Sequence, residues 1–240
     1  MVKEESKNVN SIKKTARIAG FLYFLQIPLG VFGLVYVPKA LVVSGNMAAT
    51  AHNILANEFA FRLSMVSAIL TTILTVVTAY YLYKLLKTVN KTAALSMILF
   101  TLVVAPISMI NELNNVAVLL ILKNHNAFTT GQVQTLISLF FDLHKYGLAI
   151  MGIFFGLWLL PMGYLVIKSK FIPKIIGIFL LIGCFSYLID FFTFFLFPNF
   201  GIVTTEYTFL GEVLMVLWLL IKGVKAKEWE KHNLHATPQQ

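Results

Sequence analysis

The chain has 240 residues, 58% hydrophobic and 12% charged, with a formal net charge of +9 and a mean hydropathy of +0.82. Soluble domains run near 45–50% apolar and about 25% charged, so this balance excludes an ordinary globular enzyme and a disordered chain. Its apolarity also argues against a nucleic-acid partner, and no cofactor is expected, because CxxC, HExxH, GxGxxG and phosphate-loop spacings are absent.

A bilayer-spanning helix needs roughly 20 mainly apolar residues, because the hydrocarbon core is about 30 Å thick and a helix rises about 1.5 Å per residue. Six stretches meet that requirement. The first is Ile18–Val37, with Pro38 expected to end it. Val43-Ser44-Gly45 resembles a signal-cleavage triplet, but the apolar run exceeds the roughly 7–15 residues of a signal core, so this stretch is expected to be retained as a span. Residues 38–58 follow as the largest external segment. Within it, Asn46 is placed to cap a short helix reaching Ala56, with Met47, Ala51, Ile54 and Leu55 on its apolar side.

The second stretch is Ala60–Leu86, the third Thr92–Leu122 and the fourth Val133–Ile167. The third and fourth would extend about 46 and 52 Å as helix, so each is expected to overrun the bilayer or to break. Asn111, Glu112, Asn114 and Asn115 interrupt the third, and Asp142, His144 and Lys145 interrupt the fourth. A tight basic turn, Lys168–Lys174, leads to the fifth stretch, Ile175–Phe197, and the sixth is Val203–Val224. The single cysteine, Cys184, lies inside the fifth and can form no intramolecular disulfide. The expected fold is an all-α integral membrane protein, a six-helix transmembrane bundle with a short external helix after the first span. The expected division is a cytoplasmic segment at 1–15, the membrane domain at 16–225 and a polar cytoplasmic tail at 226–240.

Charge distribution gives an orientation. Fifteen of the 19 basic residues fall in four segments on one side: Lys3 to Arg17, Lys84 to Lys91, Lys168 to Lys174, and Lys222 to Lys231. Only Lys39, Arg62, Lys123 and Lys145 lie on the other. Basic residues collect on the cytoplasmic side of short loops, so both termini are expected there, in a multi-pass protein of the plasma membrane. The basic face suits anionic lipid headgroups, at about 1 kcal/mol per residue near the surface.

Ionisable side chains inside a span cost about 2.5–3.5 kcal/mol each on insertion scales, so each needs a reason. Counted at about 1.5 Å per residue from the basic ends, Glu212 lies roughly 15 Å deep, near the midplane, and Asp190 roughly 24 Å. Glu112, Arg62 and His144 lie at roughly 32, 33 and 36 Å on three different helices. Same-face neighbours add detail. Thr101, Ser108, Glu112 and Asn115 share one stripe, as do Ser64, Ser67, Thr71, Thr75, Thr78 and Tyr81. Asp142 shares a face with Tyr146 and not with His144, whereas Asp190 has Ser186 and Tyr187 one turn earlier. The candidate polar core is therefore Arg62, Glu112, Asp142, His144, Tyr146, Asp190 and Glu212. Arg62 is expected to pair with a carboxylate near the outer interface, Asp142 above the others. The hydroxyl stripe on the second helix reads as close helix packing, and Phe191, Phe192, Phe194, Phe195 and Phe197 read as lipid-facing.

Several strings, taken in order, resemble the bacterial membrane family catalogued as domain of unknown function 4386. They are Ala16-Arg17-Ile18-Ala19-Gly20, Ala60-Phe61-Arg62, Phe141-Asp142-Leu143-His144-Lys145-Tyr146-Gly147, and Gly163-Tyr164-Leu165-Val166 leading into Phe171-Ile172-Pro173-Lys174-Ile175-Ile176-Gly177. Tyr187-Leu188-Ile189-Asp190 and Gly211-Glu212 with Trp218-Leu219-Leu220-Ile221-Lys222-Gly223 complete the set. The resemblance covers residues 12–225. It implies a multi-span integral membrane protein, brings no activity with it, and favours Arg62, Asp142, His144, Asp190 and Glu212 over the Asn111–Asn115 cluster.

Three functions compete on these residues. One is binding or transport of a small polar or cationic solute in an outward-facing pocket floored by Glu212. A second is a structural or assembly protein whose carboxyls only hold the bundle together. The third is an intramembrane enzyme acting on lipid headgroups through Asp142, His144 and Asp190; it lacks a nucleophile signature, and one histidine with scattered carboxylates is a poor zinc set. Membrane lipids are the expected partners in all three.

Overall fold

In hydrocarbon every backbone N–H and C=O must be satisfied within the protein, so helices or closed barrels are the spanning structures. The computed structural model describes residues 2–124, 127–226, 228–230 and 232, and these form helices with no strand among them. In chain order they are α1 (Val2–Gly30), a π-helical stretch (Val31–Tyr36), α2 (Val37–Leu41), α3 (Met47–Ala56), α4 (Glu58–Leu86) and α5 (Lys91–Lys123). Then come α6 (Thr130–Ser169), α7 (Lys174–Leu196), α8 (Thr205–Thr208) and α9 (Leu210–Ile221). Five segments are long and apolar enough to cross a membrane: Asn10–Leu41, Glu58–Leu86, Lys91–Lys123, Thr130–Ser169 and Lys174–Leu196.

Two expectations meet a different outcome, and between two alternatives for the long helices one is found. Pro38 does not end the first span, which stays helical to Leu41. A proline inside an α-helix clashes with the carbonyl four residues back. Here the wider π turn of Val31–Tyr36 precedes it, and Pro38 sits in the first turn of α2, where its missing N–H costs nothing. The polar clusters do not break the long helices: α5 runs 33 residues and α6 runs 40, with Pro106 and Pro161 inside them. At about 1.5 Å per residue these extend about 50 and 60 Å, longer than the roughly 30 Å hydrocarbon core, so of the two expected outcomes the unbroken, over-long helix is the one found. The sixth stretch is divided, into the single turn α8 and the 12-residue α9.

The short helix foreseen after the first span is present as α3. The Asn46 side chain caps it, accepting from the Ala49 N–H at 2.9 Å, and Asn53 Nδ2 donates to the Leu41 carbonyl at 3.2 Å. Ile54 is fully buried and Met47 and Ala51 pack beside it, but Leu55 is exposed.

The chain divides into two compact units, the first formed by Met1–Phe24, Leu74–Val104 and Gly152–Gln240 and the second by Leu25–Ile73 and Ala105–Met151. In the first, buried Leu82, Leu85 and Met97 join Trp158, Leu159, Met162, Leu180, Met215 and Leu219 in one apolar core. The turn after α6 is tucked into it: Phe171 and Ile172 are buried, and the Phe171 carbonyl accepts from the Lys225 N–H at 3.1 Å. Glycines bring the helix backbones close. A Cβ at Gly163 would stand 2.8 Å from the Gly177 carbonyl oxygen, one at Gly177 would stand 2.7 Å from that of Gly163, and one at Gly211 would meet the Phe179–Leu180 backbone at 2.7–2.9 Å. Lipid tails are as apolar as leucine, so such close approach is what holds helices together in a bilayer.

In the second unit, Val37, Leu41, Ile54, Phe61, Met65, Val118, Leu122 and Ile137 form a separate core. The hydroxyl stripe of α4 serves the packing foreseen for it. Ser67 Oγ donates to the Leu29 carbonyl at 3.0 Å, and Gly33 lies so close that a Cβ there would stand 2.8 Å from the Ser64 carbonyl oxygen.

Candidate functional site

Two polar clusters lie among the described residues, one in each unit. In the second unit the centre is Glu112 on α5. Its Oε2 accepts from Asn115 Nδ2 at 2.9 Å and its Oε1 lies 3.2 Å from His144 Nε2 on α6. The two side chains are 6% and 13% exposed, which makes this a buried pair. Asn111 ties the same helices together, its Nδ2 donating to the His144 carbonyl at 3.0 Å while Asn114 Nδ2 donates back to Asn111. Gly147 makes room for this, since a Cβ there would stand 2.0 Å from Asn111 Oδ1. One turn before Glu112, Ser108 shares a 2.8 Å hydrogen bond with Thr72 of α4. The stripe read from the sequence, Thr101, Ser108, Glu112 and Asn115, is buried along its whole length.

Arg62 does not join Asp142. Its Nε lies 2.6 Å from Glu58 Oε1, one turn earlier on the same helix, and Lys123 Nζ reaches that oxygen at 2.8 Å. The Arg62 side chain is 52% exposed and Asp142 is exposed. Depth along the membrane normal is what the sequence count supplied; direction around each helix axis, which it did not supply, decides the pairing. Tyr146 is exposed as well. Of the seven candidates, Arg62 and Asp142 therefore stay outside the cluster that Glu112 and His144 build.

The first unit holds the second cluster. Glu212 stands in the first turn of α9, where the helix dipole favours a carboxylate. Its N–H donates to the Phe209 carbonyl at 3.1 Å across the break between α8 and α9. The Tyr23 hydroxyl of α1 donates to Glu212 Oε2. Tyr187 of α7 is close enough to interact electrostatically with both Glu212 and Tyr23. Aromatic rings surround these groups: Tyr23 packs edge-on against Trp158 with centroids 5.8 Å apart, and Tyr187 lies 6.3 Å from Phe155. Among the described residues no lysine, arginine or histidine lies within ion-pair distance of Glu212. Tyr23 and Trp158 escaped the sequence reading because each is one aromatic residue in an apolar run, and Tyr23 is 189 positions from its partner.

Asp190 behaves differently. Its Oδ1 accepts from the N–H and hydroxyl of Thr204 at 2.6 and 2.7 Å, and its Oδ2 accepts from those of Thr205 at 2.9 and 2.7 Å. It caps the start of α8 from the neighbouring helix, so both oxygens are used structurally. We predict that Asp190→Ala lowers stability in detergent by about 2–3 kcal/mol, from lost charged hydrogen bonds and a lost cap. Chemical unfolding followed by circular dichroism measures it, and Asp190→Asn should retain part of the loss-free behaviour through its remaining acceptor oxygen. Among the described residues no group of three His, Cys, Asp or Glu side chains could hold a metal ion.

Five spanning-length helices, buried polar clusters and an exposed apolar surface that includes Phe192, Phe195 and Leu196 define a polytopic helical membrane protein. The chain belongs to the family described as domain of unknown function (DUF4386), whose model matches residues 18–223. It is 34% identical over 166 residues, 69% of this chain and 86% of the other, to an uncharacterized protein of Archaeoglobus fulgidus, so the likeness extends beyond bacteria. No solved structure matches it.

Proposed function

We propose that this chain binds a small organic cation at Glu212, as a solute-binding or transport protein of the plasma membrane. The observation that carries this reading is a carboxylate with no cationic partner among the described residues, held by the Tyr23 hydroxyl beside Tyr187, with Trp158 packed on Tyr23 and Phe155 on Tyr187. A carboxylate supplies the counter-charge, and aromatic faces attract a cation through their quadrupoles by about 0.5–2 kcal/mol each. An ionisable group deep in a span is by default a candidate for function. The break ahead of Glu212 supports the same reading, because interrupted helices line solute sites in many transporters. Titration of the purified protein with tetramethylammonium should quench the Trp158 fluorescence saturably, and Glu212→Gln should remove the effect. Absence of a saturable change in the wild type would overturn the proposal.

In this reading the helix α3 is external, α8 and α9 together make the sixth span, and both termini are cytoplasmic. The 15-to-4 division of basic residues supports that orientation. From Thr205 to Ile221 the helical path is about 25 Å, close to the hydrocarbon thickness. Alkaline phosphatase fused after Gln240 should be inactive, and inserted between Ala127 and Thr129 it should be active. The opposite pattern would reverse the orientation, and activity at both sites would remove the sixth span.

A further inference from the structure

An open groove of about 400 Å³ runs along one face of α1, and neither the fold nor the proposed solute site uses it. Its polar half is made by Lys13, Lys14 and Arg17 with Asn10. These positions are three, four and seven residues from Asn10, so they share one side of the helix within two turns. None of the three cations is ion-paired to a carboxylate among the described residues. The apolar half is Ile18, Phe21 and Leu22. The ridge that begins at Arg17 continues through Phe21 and Phe24, which are 53% and 44% exposed.

The face therefore changes character along the helix axis and not around it. Three cations occupy one end, bare aromatic and aliphatic surface the other, and the border falls between Arg17 and Phe21. In a helix that enters a bilayer, that border is the level at which headgroup phosphates meet acyl chains. We propose that this groove is a binding site for an anionic phospholipid, with the phosphate held by Lys13, Lys14 and Arg17 and an acyl chain lying along Ile18, Phe21 and Leu22. Guanidinium and ammonium groups together suit a phosphate diester: arginine can donate two parallel hydrogen bonds and lysine adds compact charge. A zwitterionic choline headgroup carries its own cation into the same space and is disfavoured.

The test uses the full-length protein in a neutral maltoside detergent. Dioctanoyl phosphatidylglycerol, dioctanoyl phosphatidylcholine and inorganic phosphate are titrated separately, with bound lipid counted by native mass spectrometry and stability followed by thermal melting. We expect one phosphatidylglycerol retained per chain, at least tenfold tighter than phosphatidylcholine, with inorganic phosphate unable to displace it. Arg17→Gln combined with Lys14→Gln should weaken phosphatidylglycerol binding at least tenfold. Arg17→Lys, which keeps the charge and guards against a folding failure in the double variant, should weaken it only a few-fold. Equal affinity for both lipids, or unchanged binding in a folded double variant, would overturn the site. Displacement by inorganic phosphate would reassign it to a free anion and overturn the lipid assignment. None of these outcomes depends on Glu212.

Discussion

Gly163→Leu should lower the melting temperature in detergent by about 10 °C or more. The reason is mutual: the Cβ that either Gly163 or Gly177 would acquire lies 2.7–2.8 Å from the other's carbonyl oxygen. A Cβ at Gly163 would also meet Leu181 Cγ and Cδ2 at 2.9 Å. A side-chain neighbour can rotate away, but a helix carbonyl cannot move without the helix moving, so the added atoms must separate α6 from α7. Overpacking of this kind costs about 1–3 kcal/mol even in forgiving sites, and a backbone contact is not forgiving. Gly131→Ala is the matched control. It lies on α6 with nothing within 4 Å of its Cβ, and should be neutral or slightly stabilising through helix propensity. An unchanged melting temperature for Gly163→Leu would mean that the α6–α7 contact is not close in solution.

That contact illustrates what the sequence could and could not reveal. Helical architecture, the five long apolar helices and the Asn46 cap follow from apolar length, turn chemistry and composition, and each is a local property. The α4 hydroxyl stripe and the α5 stripe through Glu112 were legible for the same reason, since a period of 3.6 residues marks a face wherever that face points. Pro38 was misread because its effect depends on the hydrogen bonding of the turn before it, and the π stretch there has no sequence signature of its own. The division between α8 and α9 was hidden too, because hydropathy averaged over a whole stretch does not register a break of one residue at Phe209, and the start of α8 is fixed by a carboxylate on another helix, Asp190.

Partners were the least legible part. Counting residues gave Arg62, Glu112, Asp142 and His144 comparable depths, and those depths allow several pairings. The arginine took the carboxylate one turn away, Glu58, a pairing that the i, i+4 rule offers directly. An exposed pair of this type contributes little and weakens with salt. Glu112, which the family resemblance disfavoured, is the carboxylate with the best-defined surroundings in the second unit. Tyr23 had no signal at all, because the identity of its partner is fixed only when α1 and α9 pack, with Gly20 against Leu219.

The pair between Glu112 and His144 is the second place where a large effect is expected, and it separates a buried interaction from two independent groups. Glu112→Ala should cost about 3 kcal/mol, measured by unfolding in mixed micelles. It removes the acceptor of Asn115 Nδ2 and the partner of His144 Nε2, and leaves both polar groups inside a nearly closed interface. Glu112→Gln should cost less, because the amide oxygen can still accept from Asn115, while its NH₂ can serve His144 only if that ring nitrogen is unprotonated. His144→Ala alone should also destabilise, but added to Glu112→Ala it should cost much less than it does in the wild type, giving a coupling of about 1 kcal/mol or more. The Asn111 bond to the His144 carbonyl survives both substitutions, so the helices keep a common anchor and the cycle reports the side-chain pair alone. A coupling below about 0.5 kcal/mol would show that the two groups are separately solvated and that α5 and α6 are held here by Asn111 and apolar packing.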